Sequence, residues 1–104
     1  MIKAIVTYRQ DIITSLVVSG HANSGEKGHD LVCAGVSAVI MGGLNGLENH
    51  ENFIIDVKDG YVSLIAKSLP SKRDEIVLAT ITTSLLTIEQ SYRKYIKITQ
   101  ERTD

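Results

Sequence analysis

Residues 53–67, FIIDVKDGYVSLIAK, contain two runs rich in β-branched side chains on either side of the dipeptide Asp59-Gly60. An Asp-Gly pair between two such runs is a strong signal for a two-residue hairpin turn, because both turn positions then adopt positive φ. We therefore predict strands over Phe53–Lys58 and Tyr61–Lys67, joined at this turn.

A second pair of strands is predicted upstream of this hairpin. The runs Ile2–Tyr8 and Ile12–Ser19 are short and β-branched, and polar residues 9–11 separate them, which is typical of a hairpin. Residues 20–29 are polar and interrupted by glycine, which predicts a loop. A short last strand over Ile96–Thr99 is also expected.

Two helices are predicted, one after each pair of strands. Residues 31–47, LVCAGVSAVIMGGLNGL, form an apolar run too long for a strand. This run has no charged face, so the helix should be buried nearly all round. Ser71-Lys72-Arg73-Asp74 resembles a capping box and opens a second helix with apolar residues at spacings of three and four. Those residues are Leu78, Ile81, Leu85, Ile88, Tyr92 and Tyr95.

The order of these elements predicts an α+β fold. In the order β-β-α-β-β-α, we expect an antiparallel β-sheet with two α-helices packed on one face, a two-layer sandwich. The chain has 104 residues, which is the length of a single domain, so we expect one domain over residues 1–104. Small residues of the first helix share one face, which indicates that the second helix or a partner copy approaches closely. They are Gly35, Ala38, Gly42 and Gly46.

Composition and charge exclude several classes of protein. The formal net charge is −1 and the basic residues are scattered, so we expect no direct binding of nucleic acid. The first residues lack the pattern of a signal peptide, and no run reaches the roughly 18 consecutive apolar residues that span a bilayer. A single cysteine cannot form an internal disulfide and fits a reducing compartment. We therefore expect a cytoplasmic protein without a membrane partner.

The single cysteine stands at the predicted start of the first helix. Asp30 is a good N-cap residue, which places Leu31, Val32 and Cys33 at the first three helical positions. The amide N–H groups there carry a partial positive charge that stabilises a thiolate and can receive a developing oxyanion. Ser37 follows one turn later, on nearly the same face.

His21 stands at the other end of the loop that precedes this helix. If the loop folds back, its imidazole reaches the thiol, takes the thiol proton and later protonates a leaving amine. Gly20 would allow the close approach of a substrate strand. Gly25 and Gly28 would allow the loop to move as a lid.

Each of these residues also has a simpler interpretation, and the pattern alone leaves the choice open. A lone cysteine in an apolar helix is often inert packing, and Asp30 can be a plain helix cap. His21, His29 and Cys33 can be drawn as three metal ligands, although the paired spacing of structural zinc sites is absent. A non-enzymatic homodimeric module for ribosome assembly or interaction is a further alternative.

Three motifs together resemble the ribosomal-processing cysteine proteases of the Prp family. They are Gly20-His21-Ala22, the run GHDLVCAG at residues 28–35, and Ser37-Ala38. The resemblance extends from the opening strands through the Asp-Gly hairpin to the closing helix near IEQSY. It implies that Cys33 is the nucleophile and His21 the general base of a Cys–His dyad, with Asp30 and Ser37 supporting them.

The same resemblance implies a substrate and an assembly. In the family, the dyad removes a short, apolar N-terminal extension from ribosomal protein twenty-seven of the large subunit, cutting after an aromatic residue. Family members are homodimers paired through helices, and no cofactor or metal is expected. A mobile loop is expected to close over the substrate. Its residues are Ala22, Asn23, Ser24, Gly25, Glu26, Lys27, Gly28 and His29.

Overall fold

The computed structural model describes residues 1–26 and 29–103, and the predicted α+β fold is confirmed. Five strands form one sheet, and two helices pack on one of its faces. In chain order the elements are β1 (Ile2–Arg9), β2 (Ile12–Ser19), α1 (Leu31–Asn45), a 3-10 turn (His50–Asn52), β3 (Phe53–Lys58), β4 (Tyr61–Ala66), α2 (Lys72–Ser91) and β5 (Ile96–Thr103).

The sheet is mixed, whereas the sequence predicted a fully antiparallel one. Its strand order is β3-β4-β2-β1-β5, and the pairs among β1 to β4 are antiparallel as predicted. The last strand is longer than expected and pairs in parallel with β1, with Ile96 opposite Ile2. α2 returns the chain to the end of the sheet where β4 began, so β5 must run in the same direction as β4 and β1.

One hydrophobic core joins the sheet to both helices. Along β1, Ile2, Ala4 and Val6 are buried while Lys3 and Ile5 are exposed, as the two-residue period of a strand requires. The core is completed by buried side chains from both helices. They are Val32, Val36, Ile40 and Leu44 of α1 and Leu78, Ile81 and Leu85 of α2.

The two helices approach closely at Gly43. A Cβ atom added there would overlap the side chain of Ile81 in α2, whereas a Cβ at Gly42 would meet nothing within 4 Å. The expectation that α1 is buried nearly all round is wrong for this chain by itself, because the helix exposes a row of small residues and Met41. The exposed residues are Ala34, Ser37, Ala38, Met41, Gly42 and Asn45, besides Leu31 at the helix start.

The predicted capping box at the start of α2 is half formed. Ser71 accepts a hydrogen bond from the Asp74 amide at 3.2 Å, as an N-cap residue should. The Asp74 carboxylate does not accept the Ser71 backbone amide, as it would in a complete capping box. It is fully buried and accepts the amide N–H groups of Glu48 at 2.8 Å and Asn49 at 3.1 Å. Asp74 therefore ties the first turn of α2 to the segment that follows α1.

Across residues 1–26 and 29–103, neither helix is long and apolar enough to cross a membrane.

Candidate active site

The loop between β2 and α1 folds back so that its two ends meet. Ala22 lies just past the end of β2 and is buried, and its amide N–H donates to Cys33 Sγ at 3.3 Å. Cys33 is half-buried in the first turn of α1. The structure therefore brings the segment of His21 against the start of the helix, as expected from the sequence.

Asp30 links this loop to the helix start. As the N-cap of α1 it accepts the Cys33 amide at 3.0 Å, and it also accepts the Ser24 amide at 2.9 Å. The Ser24 hydroxyl donates to the same carboxylate. These bonds, that of the Ser24 hydroxyl foremost and that of the Cys33 amide next, lower the pKa of Asp30 from 3.8 to about 2, although desolvation acts in the opposite direction. Asp30 is thus a carboxylate at neutral pH.

The imidazole of His21 lies against the Asp59-Gly60 turn of the β3–β4 hairpin. A Cβ atom at Gly60 would stand only 2.7 Å from His21 Nε2 and 3.1 Å from Cε1, so the ring occupies the space that a side chain at position 60 would fill. The Gly20 amide donates to the Gly60 carbonyl at 2.9 Å. The sequence predicted the turn but gave no local signal that it would contact His21.

Gly20 has a structural reason of its own to be glycine. Its φ is +98°, and an added Cβ would overlap the carbonyl oxygen of Met1. The close approach that Gly20 permits on this side is therefore that of the protein's own first residue. The approach of a substrate strand beside Gly20 stays a prediction.

Cys33 and His21 line the same cleft, which has a volume of about 270 Å³. Among residues 1–26 and 29–103, no hydrogen bond joins the His21 imidazole to Cys33 Sγ. One wall of the cleft comes from α1, the other from residues 57–62 of the hairpin. The α1 residues are Cys33, Val36, Ser37, Ile40 and Met41. Because Cys33 and Met41 are eight residues apart on a helix, the cleft runs about 12 Å from the thiol along α1.

The remaining histidines lie apart from this arrangement. His29 is exposed, and His50 Nε2 lies 3.0 Å from the Leu44 carbonyl oxygen near the end of α1. In the part of the chain that the structure describes, no three His, Cys, Asp or Glu side chains are grouped so as to hold a metal ion. Lys27 and Gly28 of the expected mobile loop lie outside the described residues.

A half-buried thiol at a helix start, in a cleft that a histidine also lines, is an arrangement suited to a cysteine peptidase. The family model described as "Cysteine protease Prp" matches residues 1–97. The chain belongs to the Prp family of cysteine proteases. It is therefore a cysteine peptidase.

Individual Prp proteins are similar to the chain over nearly its whole length. The ribosomal processing cysteine protease Prp of Staphylococcus aureus is 37% identical, over 83% of this chain and 85% of the relative. That of Bacillus subtilis is 34% identical, over 95% and 96%. A crystal structure of the S. aureus Prp with a covalently linked product peptide superposes with a TM-score of 0.88 at 31% identity, covering 96% of this chain and 99% of that one.

Proposed function

We propose that Cys33 and His21 form the catalytic dyad of an endopeptidase that removes the N-terminal extension of the ribosomal protein twenty-seven precursor. The observation that carries the proposal is the position of the chain's single cysteine. Its thiol is half-buried at the start of α1, beside the segment of His21, in a cleft that both side chains line. Because the proposed substrate is a ribosomal protein and ribosomes are in the cytoplasm, we place the enzyme in the cytoplasm as well.

The reaction uses one nucleophile and one base. His21 accepts the Sγ proton as Cys33 attacks the scissile carbonyl carbon, and then gives that proton to the leaving amine as the thioester forms. In the second half, His21 deprotonates a water that hydrolyses the thioester and regenerates the thiol. The hydrogen bond between such a base and nucleophile is often long or poorly aligned before substrate binds. We therefore propose that substrate binding brings the imidazole within hydrogen-bond distance of Sγ.

The Ala22 amide is the best-placed donor for the developing oxyanion. The Cys33 amide is already donated to Asp30, so it is not free to bind a substrate oxygen. The Ala22 N–H points at Sγ at 3.3 Å. When Sγ is bonded to the substrate carbon, the carbonyl oxygen lies next to Sγ, within reach of this N–H.

Asp30 and Ser37 are proposed to support the dyad in different ways. Asp30 fixes the Cys33 backbone and the Ser24 end of the loop through the same carboxylate. Ser37 is exposed in the cleft one turn after Cys33, so its hydroxyl faces the bound peptide. Neither residue is assigned a proton-transfer step.

Residues 22–29 are proposed to close over bound substrate. Ala22 is buried and Ser24 is bound to Asp30, so these two residues hold the first half of the loop. A Cβ atom at Gly25 would stand 2.9 Å from the His29 carbonyl oxygen, which makes this glycine a tight bend. Among the described residues, opening of the first half of the loop therefore requires release of Ser24 from Asp30.

A homodimer through the helices is also proposed. A groove between α1 and α2, lined by Ala38, Gly42 and Gly46 with Ile76 and Thr80, leaves small residues and the 56% exposed Ile76 uncovered. Because a Cβ at Gly42 meets nothing within 4 Å, Gly42→Glu should leave the protomer folded and break the dimer by burying an unpaired charge. Sedimentation of the wild type as a monomer at micromolar concentration would reject this assembly.

The function is tested by incubating the protein with the ribosomal protein precursor of its own organism and measuring the intact masses of the products. We expect loss of the N-terminal extension alone, with no cleavage by Cys33→Ala or His21→Ala and almost none by Cys33→Ser, since a hydroxyl is the weaker nucleophile. Cleavage by Cys33→Ala would show that the nucleophile lies elsewhere. A precursor that is bound but never cut would favour the non-enzymatic module.

A further inference from the structure

The two edges of the sheet differ in how they are protected. β5 forms one edge, and its exposed positions include Lys97, Glu101 and Arg102, charges of the kind that discourage pairing with another strand. β3 forms the other edge and exposes Ile54 by 57%, Ile55 by 36% and Val57 by 48%. β3 is thus an apolar edge strand that pairs on one side only, with β4.

For each residue of β3, the hydrogen bonds at the two ends of the hairpin determine whether the backbone N–H and C=O groups point toward β4 or away from the sheet. At one end of the hairpin, the Gly60 carbonyl accepts the Gly20 amide at 2.9 Å, and at the other the Asn52 carbonyl accepts the Lys67 amide at 2.7 Å. Backbone groups in an antiparallel ladder alternate in direction from residue to residue. Ile54 and Asp56 therefore point their N–H and C=O groups at β4, while Ile55 and Val57 point theirs away from the sheet.

Ile55 and Val57 also lie on the side of the sheet where the catalytic cleft is. Val57 lines the cleft together with Cys33, and Ile55 is on the same face because side chains alternate along a strand. Met41 of α1, 39% exposed, lines the same cleft. The residues with free backbone groups are therefore those whose side chains form an apolar surface continuous with the nucleophile.

We propose that the substrate adds to β3 as an extended strand, pairing with the backbone of Ile55 and Val57, so that the scissile bond is led to Cys33. The proposal rests on the proposed function and names the class of peptide that the site takes. The strand is apolar at the positions that face Val57 and Met41, and it contains no proline where a backbone N–H must pair.

Two variants on neighbouring faces of β3 test the side-chain part of this proposal. The probe is a synthetic peptide that spans the extension and cleavage site of the ribosomal protein precursor. Val57→Asp should raise KM for this peptide about tenfold by placing a charge in the apolar path. Ile54→Asp, an equally exposed position on the opposite face, should leave KM unchanged within about twofold. Equal effects of both variants would overturn strand addition.

Hydrogen exchange tests the backbone part and does not depend on whether Val57→Asp folds. In the Cys33→Ala protein, the amides of Ile55 and Val57 should exchange rapidly and those of Ile54 and Asp56 slowly. Saturating peptide should slow exchange at Ile55 and Val57 at least about tenfold. Bound peptide with no change at these two amides would overturn the proposal while leaving the protease function intact. A peptide that the wild-type protein does not cleave would overturn the proposed function, and strand addition with it.

Discussion

The two ends of α1 are each held by one aspartate, but the two carboxylates lie in different surroundings. Asp30 is only partly buried and accepts from Ser24 and Cys33, both within six residues of it. Asp74 is fully buried and accepts from Glu48 and Asn49, far away in the sequence. The first carboxylate joins a loop to Cys33, and the second joins one helix to the end of another. The same chemical group thus holds the proposed active site together at one end and a junction between two helices at the other.

The largest expected effects come from replacing each aspartate with alanine. One variant should mainly lose activity and the other should mainly lose stability. Asp30→Ala should lower kcat/KM by about 100-fold, because Cys33 and the loop lose their common anchor. Because the N-cap bond of α1 is also lost, Tm should fall as well, but by less than in Asp74→Ala. Asp74→Ala leaves two amides without their acceptor and should lower the free energy of unfolding by about 2 kcal/mol, or Tm by about 10 °C. Its activity per folded molecule should remain near that of the wild type.

Both quantities are measured by peptide cleavage and thermal unfolding on the same samples. If Asp30→Ala lost stability as severely as Asp74→Ala and kept its activity, the distinction between the two ends of α1 would be wrong. Ser24→Ala offers a milder version, since it removes only the hydroxyl bond to Asp30 and leaves the bonds from the Ser24 and Cys33 amides in place.

A substitution at Gly60 extends the comparison to the hairpin turn. Gly60→Asn tolerates the positive φ of this turn but adds a Cβ where the His21 ring lies, so we expect kcat to fall about tenfold and the pH dependence of kcat to shift. Gly35→Ala is the matched control, because its Cβ would make only an ordinary contact with Ile88, at 3.8 Å. An unchanged pH profile in Gly60→Asn would show that the turn does not position the imidazole.

Acid should weaken the active-site anchor in a defined pH range. The pKa of Asp30 is lowered from 3.8 to about 2, so its ionised form stabilises the folded protein. This contribution is complete above about pH 4 and is lost as the pH falls toward 2. The difference in urea midpoint between wild type and Asp30→Asn should therefore shrink from about pH 6 to about pH 2. Asp59→Asn, at the exposed turn, is the control; a constant difference for Asp30→Asn would contradict the link.

The smallest expected effect is at the loop itself. The Ser24 amide should be protected from hydrogen exchange in the wild type, lose that protection in Asp30→Ala, and gain further protection when an uncleavable peptide fills the cleft. Strong protection that neither the variant nor the peptide alters would mean that residues 22–26 are rigid scaffold.

Sequence predicted the features that depend on neighbouring residues. Asp30 as the N-cap beside Cys33, the Asp59-Gly60 turn and the two helix starts all follow from interactions within a few positions. The parallel pairing of β5, the contact of Gly60 with His21 and the role of Asp74 were not predicted, because each joins segments dozens of residues apart. For Asp74, the local pattern favoured a capping box, but its carboxylate accepts the amide N–H groups of Glu48 and Asn49 instead.

The parallel pairing of β5 with β1 has a consequence for how the protein acquires activity during synthesis. Ile2 pairs with Ile96, so β1 gains its second neighbour only when residues 96–103 have left the ribosome. Contacts this distant in sequence close late and slow the folding of a chain. Gly20, beside His21, packs against Met1 at the start of β1. A nascent chain that already carries Cys33 and His21 therefore holds them on an unfinished sheet until β5 is added.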